Sequence, residues 1–225
     1  MVDYLYELQH PDRSVRNYEW AGIYKIFRTH CPDGGRWLDF GCGAGGLVRY
    51  AIKRGADALG VEDGWAANQG RQAGIPILHL DELDSYSGQF DFISAIEVLE
   101  HIPQPIDVLV KIRKLLKPGG ILFLTTGNAR PWRTRLLNWS YTQCPDVHIS
   151  FYEPQTLAQC LLKSGFEARE IESFTGFVEI IKFKVLKNLR FKHRSRALDF
   201  LPWRLISKIV DARYQVSRHP FGVAV

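Results

Sequence analysis

The sequence predicts an α/β protein whose mainly parallel sheet carries helices on both faces. Three observations predict it. Strand-like and helix-like segments alternate from Arg36 onward, which is how helical crossovers build a parallel sheet. A glycine-rich turn, Gly41-Cys42-Gly43-Ala44-Gly45-Gly46, joins the first strand to the following helix. The segment ILFLTTG at 121–127 is apolar almost without interruption, as a strand covered on both faces must be. In such sheets the crossovers are right-handed, and ligands sit outside the carboxyl ends of the strands, where strand order reverses.

Each element follows from its letters. Residues 14–30 have helical spacing, with Trp20, Ile23, Tyr24 and Phe27 on one side, and CPDGG ends that helix. The short apolar run 36–40 is the first strand, and GGLVRYAIKRGA (45–56) is a helix closed by Gly55. ALGVE (58–62) is a strand, WAANQGRQAG (65–74) a helix, IPILHL (75–80) a strand and FDFISAI (90–96) another. Residues 104–120 form a helix with Ile106, Leu109, Val110, Ile112, Leu115 and Leu116 apolar, stopped by Pro118-Gly119-Gly120. The strand 121–127 follows. Further on, 153–166 is a helix capped by Gly165, 166–174 a strand, 177–190 a helix with Val178, Ile181, Val185 and Leu189 apolar, and 203–214 a helix. The closing FGVAV (221–225) is a last strand, inserted antiparallel. The expected organisation is an N-terminal helical segment over 1–35, a core over 36–175, a basic helical insertion or lid over 176–218, and a last strand over 219–225.

Composition narrows the class. Hydrophobic residues at 46% and charged residues at 24% are those of a globular protein in water. An apolar leader and a run of 18 apolar residues are both missing from the 225 residues, so neither secretion nor membrane spanning is expected and the expected location is cytoplasmic. Cys31, Cys42, Cys144 and Cys160 are scattered, without a C-x-x-C pair, and read as reduced thiols. The net charge of +5 is uneven: Lys182 to Arg218 holds 11 Lys/Arg against Asp199 and Asp211, a net +9, which leaves the rest at −4. Such a stretch is either a solvated helix face or a contact for RNA, an anionic membrane surface or an acidic substrate.

Gly41, Gly43 and Gly46 fit G-x-G-x-x-G, the fingerprint that sets a pyrophosphate on a helix N-terminus. Asp39 stands at the end of the strand, two residues earlier, and would repel that anion. It argues for a ligand with positive charge. S-adenosylmethionine carries a sulfonium and an ammonium and no phosphate, so its cationic groups gain Coulomb energy near an acid.

Here the sequence resembles the class I S-adenosylmethionine-dependent methyltransferases. Asp39-x-Gly41-x-Gly43-x-Gly45 matches their first motif, GVE ending at Glu62 their second, FDFISAIEVLEHI (90–102) their fourth-strand motif, and LLKPGGILFLTT (115–126) the approach to their fifth strand. HISFYEPQTLAQCLLKSGF (148–166) resembles the small-molecule branch related to ubiquinone-pathway O-methyltransferases. The resemblance implies a seven-stranded Rossmann-like sheet with the last strand antiparallel. It implies S-adenosylmethionine as donor and S-adenosylhomocysteine as product. It places Gly41, Gly43 and Gly45 along the methionine part, with Asp39 supporting the amino end. Glu62 takes the ribose hydroxyls, Asp63 and Gly64 lie beside the adenine, Asp81 accepts from its amino group, and Ile96 and Glu97 close over the methionine end.

Methyl transfer is an in-line displacement, and a hydroxyl acceptor needs a base to take its proton. Two histidines qualify: His101 at the end of the fourth strand and His148 after the fifth. The reading preferred here is O-methylation of a small molecule. Glu97-x-x-Glu100-His101 with His148 is also the pattern with which small-RNA 2′-O-methyltransferases hold magnesium or manganese, so a metal-dependent RNA methyltransferase is the alternative, not favoured over the metal-free reading. A catalytically silent S-adenosylmethionine-binding module is a third. Trp132, Trp139 and Tyr141, with Arg130, Arg133 and Arg135, wall a substrate pocket or pack a surface helix. The basic segment 182–218, with Phe183, Phe191, Phe200 and Trp203 between its charges, is a lid or lies on an anionic membrane bearing a lipid-linked substrate.

Overall fold

The structure, a computed structural model, describes residues 4–127, 129, 148–172, 178–188, 191, 199–206 and 223–224. The chain begins with two helices, α1 (Tyr4–Gln9) and α2 (Arg16–His30). β1 (Arg36–Phe40), α3 (Gly46–Ile52), β2 (Asp57–Val61), α4 (Trp65–Gln72) and β3 (Ile77–Leu78) then alternate. A 3-10 helix, Leu80–Tyr86, leads to β4 (Phe90–Ile96), and a short 3-10 turn, Leu99–His101, to α5 (Pro105–Leu115). β5 (Leu116–Thr125) follows, then α6 (Pro154–Lys163), β6 (Ile171–Glu172), α7 (Val178–Asn188) and β7 (Val223–Ala224).

The parallel α/β sheet is as expected. Its order is β3-β2-β1-β4-β5-β7-β6, and β1 to β5 form a parallel set of five. Among the described residues the sheet counts seven strands, five of them parallel. Beyond β5 there are two two-residue strands, with β7 antiparallel to β5 at Leu124 and Thr125 and antiparallel to β6. Strand order reverses between β1 and β4, the position predicted for the ligand crevice.

Side-chain alternation splits the core in two. Trp37, Phe92 and Phe123 project to the face covered by α2, α3 and α4. Phe27 stacks on Trp37 at 4.8 Å, and Phe92 meets Trp37 edge-on at 5.4 Å. Leu38, Phe40, Ile93, Leu122 and Leu124 project to the other face, against Leu109, Ile112 and Leu115 of α5 and Leu157 and Leu161 of α6. Truncating such a fully buried leucine to alanine costs about 2–5 kcal/mol.

Several boundaries differ from the sequence expectation for local reasons. The helix expected to 56 stops at Ile52, because Gly55 turns the chain at φ +83°. The strand expected over 75–80 shrinks to Ile77–Leu78, because His79 caps the 3-10 helix: its N–H bonds Glu82 Oε2 at 2.6 Å. The helix expected to 120 ends at Leu115, and Lys117-Pro118-Gly119-Gly120 lies within β5 as a bulge. Phe90 pairs with Leu116 but Phe92 with Ile121. Gly119 takes φ +79° there, which favours glycine. The strand expected over 166–174 is described only at Ile171–Glu172, and of the helix expected over 203–214 only 203–206 is described, as helix. The aromatic and arginine set within 130–144 lies outside the described residues. No described helix is long and apolar enough to cross a membrane.

Candidate active site

The predicted residues gather at the carboxyl ends of β1, β2 and β4. Asp39 faces α2 and α3 from β1 and is buried, with 5% of its surface exposed. Register places Ser94 of β4 directly beside it. Trp37 Nε1–H donates to Ser94 Oγ at 2.8 Å, and Ser94 Oγ–H donates to Asp39 Oδ1 at 2.7 Å. This relay fixes the carboxyl rotamer. Burial pushes the carboxyl up to about 7, against the opposing effects of the Ser94 bond and the Arg16 charge.

The glycine turn approaches β2 closely. Gly41 and Cys42 donate their N–H groups to Val61 O at 2.9 and 3.3 Å. Gly41 takes φ +76°, and a Cβ there would stand 2.5 Å from Val98 Cγ2. Gly43 and Gly45 also take positive φ, 56° and 78°. On Gly46, a Cβ would collide with the Trp20 ring of α2, so the N-terminal helix closes directly over the turn.

Glu62 is half-buried just past β2. Burial raises its carboxyl, while hydrogen bonds from the Asp63 and Gly43 N–H groups oppose that rise. Glu62 and the glycine turn are therefore in direct contact. Arg71 of α4 ties this corner together, donating to Glu62 O at 2.6 Å, Ile77 O at 2.9 Å and Leu78 O at 2.9 Å. Asp63 and Gly64 are exposed beside it. Asp63 is engaged by His79 Nδ1 at 2.7 Å and the Leu80 N–H at 3.3 Å, and the His79 bond holds its carboxyl below the usual range. Asp81 is exposed in the first turn of the 3-10 helix, outside the buried set.

At the end of β4, Ile96 pairs with Thr125. Glu97 adopts φ +55°, the single non-glycine positive φ among the described residues. Its N–H donates to Thr125 O at 2.9 Å, and Thr125 Oγ1–H donates to its Oε1 at 3.2 Å. Left-handed backbone at a residue with a side chain costs about 1–3 kcal/mol and concentrates at functional sites. Glu100 is 1% exposed. Burial, then the Glu97 charge, raises its carboxyl, and Thr126 Oγ1–H donates to its Oε2 at 2.8 Å. Its Oε1 is buried without a hydrogen-bond partner, a cost of about 1–3 kcal/mol for such a group.

The two histidines meet. The His101 and His148 rings lie 4.8 Å apart between centroids. Glu100 O accepts from the Ile149 and Ser150 N–H groups at 2.9 and 3.1 Å, which pins the later histidine's segment to the 3-10 turn. Burial, then the His101 charge, lowers the His148 imidazole from its ordinary value. One ligand atom each from Glu100, His101 and His148 falls within 4.8 Å of the others, a set that a divalent cation could draw together.

Sequence reasoning missed the residues that hold these groups: Ser94, Thr126, Arg71 and the α2 pair Arg16 and Glu19, bonded at 3.2 Å. A signal existed for Ser94 and Thr126, since each is a polar letter in an otherwise apolar strand register. Arg71 and Arg16 carried none. Two recesses, one lined by Arg28, Arg36, Arg54, Asp91 and Lys117 and the other by Arg113, Gly165 and Arg169, lie away from every residue of this set.

The chain as a whole is similar to known proteins. Residues 13–171 match the family described as methyltransferase domain. The ubiquinone biosynthesis O-methyltransferase of Methylococcus capsulatus is 38% identical over 115 residues, which cover 46% of this chain and 48% of that protein. The chain thus spans about half the length of these curated relatives. Among solved structures, a SAM-dependent methyltransferase from Archaeoglobus fulgidus, 18% identical, superposes over 93% of this chain and 95% of its own with a TM-score of 0.60. Phosphoethanolamine N-methyltransferase 2 of Haemonchus contortus, solved with S-adenosyl-L-methionine, is 20% identical and covers 92% of this chain and 52% of its own, with a TM-score of 0.58. At these identities the structural likeness speaks to fold.

Proposed function

Since the chain belongs to the class I S-adenosylmethionine-dependent methyltransferase family, we propose that it transfers the methyl group of S-adenosylmethionine to an oxygen of a small molecule. The observation that carries the reading is the corner where the buried Asp39 carboxyl, the glycine turn and Glu62 converge. Asp39 offers an anion to the donor's ammonium end. Gly41, Gly43 and Gly45 let the backbone approach the methionine part. Glu62 takes the two ribose hydroxyls, because a carboxylate has acceptor sites left after the Asp63 and Gly43 bonds. Asp63, Gly64 and Asp81 border the adenine, and Ile96 and Glu97 close the methionine end. The bound sulfonium is already activated, so the protein chiefly aligns acceptor oxygen, methyl and sulfur, an effect of roughly 7–11 kcal/mol in favourable systems. The oxygen–methyl bond forms as the methyl–sulfur bond breaks, and S-adenosylhomocysteine leaves. His148, with His101 against it, takes the acceptor proton, for about 10²–10⁴-fold in rate. Supporting the oxygen acceptor is the likeness to the Methylococcus protein.

Calorimetry and a donor-turnover assay on two variants test this. Glu62→Ala is expected to weaken S-adenosylmethionine binding about 10–100-fold, the worth of hydrogen bonds to a charged group. His148→Ala is expected to bind donor normally and turn over at least about 10²-fold more slowly. Normal donor binding by the first variant would overturn the ribose assignment, and normal turnover by the second would make His148 structural.

A specific observation favours a second reading: Glu100, His101 and His148 converge, with Glu97 adjacent. Magnesium or manganese held there would lower the pKa of an acceptor hydroxyl, as in an RNA 2′-O-methyltransferase. Inhibition by EDTA with manganese rescue supports it, and unchanged turnover in EDTA removes it.

The basic segment also bears on the acceptor. Phe200 is 89% exposed, and Leu201, Leu205 and Phe191 are exposed with it, amid the +9 charge of residues 182–218. Apolar groups between cations suit an anionic lipid surface, and with it a lipid-linked acceptor.

A further inference from the structure

Helix α2 presents three faces with three tasks. Trp20, Ile23 and Phe27 pack into the core beside the sheet, and Trp20 touches Gly46. Arg16 and Glu19 lie near enough to Asp39 to act on its carboxyl. The third stripe, Val15, Tyr18, Gly22 and Lys25, is spaced by three, four and three residues, so it forms one line along the helix. Val15, Tyr18 and Gly22 on it are buried.

What buries the third stripe is the basic C-terminal segment. Phe183 and Leu186 of α7, with Trp203, join Val15 and Tyr18 in a separate apolar cluster. A polar latch runs through it. Lys182, 7% exposed, forms an ion pair with Asp199, and Tyr18 Oη–H donates to the same carboxylate at 2.6 Å. The Lys182 ammonium also lies 4.0 Å from the Tyr18 ring centroid and 5.2 Å from that of Trp203. At the far end of the stripe, Lys25 pairs with Glu179. A buried, multiply bonded ammonium is costly to assemble and specifies one geometry. It ties two parts of the C-terminal segment to one face of α2.

We infer that the Tyr18–Lys182–Asp199–Trp203 cluster is a latch that holds α2 over the glycine turn, so that the C-terminal segment sets the shape of the donor site from behind. Its described parts, 182–188 and 199–206, then brace α2. Lys182 and Asp199 are positioning residues: they touch α2, and α2 touches the turn. The inference rests on the donor reading above and names how that site is kept in shape.

The test pairs calorimetry for S-adenosylmethionine with backbone hydrogen exchange on Lys182→Met, Lys182→Arg and Tyr18→Phe. Leu161→Ala in α6, on the opposite face of the sheet, is the control for simple loss of stability. Lys182→Met is expected to weaken donor binding about tenfold, in the range of ordinary site-to-site coupling, and to speed exchange at residues 41–48. Lys182→Arg recovers most of the affinity, and Tyr18→Phe falls between. Leu161→Ala lowers the melting temperature without altering donor affinity. Should Lys182→Met remain folded by circular dichroism, with wild-type affinity and wild-type exchange at 41–48, the latch is overturned. If the wild type itself does not bind the donor, the donor reading fails and exchange decides alone: faster exchange at 41–48 in Lys182→Met supports the latch, and unchanged exchange overturns it.

Discussion

Asp39 is the residue on which most depends, and its environment makes a pH prediction. Burial carries its folded-state carboxyl to about 7, whereas in the unfolded chain an aspartate titrates near 4. Between about pH 4 and pH 7 the folded protein keeps a proton that the unfolded chain releases, so stability from this group falls as pH rises and the penalty is complete above about 7. Asp39→Asn keeps an acceptor for Ser94 and has no charge to bury. Its urea midpoint is therefore expected to gain on the wild type from pH 4.5 to 7.5 and to run parallel above, while S-adenosylmethionine affinity falls. A gap in midpoint that is the same at every pH would show that Asp39 is not buried as a titrating group. The sequence made Asp39 legible through its place two residues before Gly41. It did not disclose the carboxyl's partner, because Ser94 is 55 residues away and only strand register brings it alongside.

At the scale of elements, strands with strong period or unbroken apolar runs were legible, and their punctuation was not. β1 and β4 occupy the expected residues. α5 and β5 do not divide where Pro118-Gly119-Gly120 stands, because the bulge lets the ladder resume past those residues. The helix α1 and the 3-10 helix Leu80–Tyr86 went unforeseen, being too short for periodicity to register. Two glycines separate these effects. Gly41→Ala puts a Cβ against Val98 at a left-handed position, and is expected to cost about 2–4 kcal/mol in denaturant unfolding and most of the donor affinity. Gly119→Ala is left-handed too, at φ +79°, but faces open space, and is expected to cost about 1 kcal/mol with donor affinity unchanged. Equal losses in both properties for the two variants would contradict the close approach at Gly41.

The whole molecule divides its charge, and the division is visible in composition alone: +9 over 182–218 and −4 elsewhere. Composition did not show that part of this segment is buried. Lys182 and Phe183 face α2, whereas Phe200 and Leu205 face outward, and no periodicity in 182–218 sorts the two groups. The outward set predicts sedimentation with phosphatidylserine vesicles but not with phosphatidylcholine vesicles, weakened at high salt. Phe200→Glu is expected to reduce that binding several-fold and leave donor affinity intact. Equal binding to both lipids would leave the outward residues without a role at a membrane.

The strand order has one more consequence, for synthesis. β7 lies between β5 and β6 in space yet follows both in the chain. On the ribosome, the outer edge of β5 at Leu124 and Thr125 waits with unfilled backbone groups until Val223 has emerged. An edge left open over that span of synthesis is exposed to wrong partners.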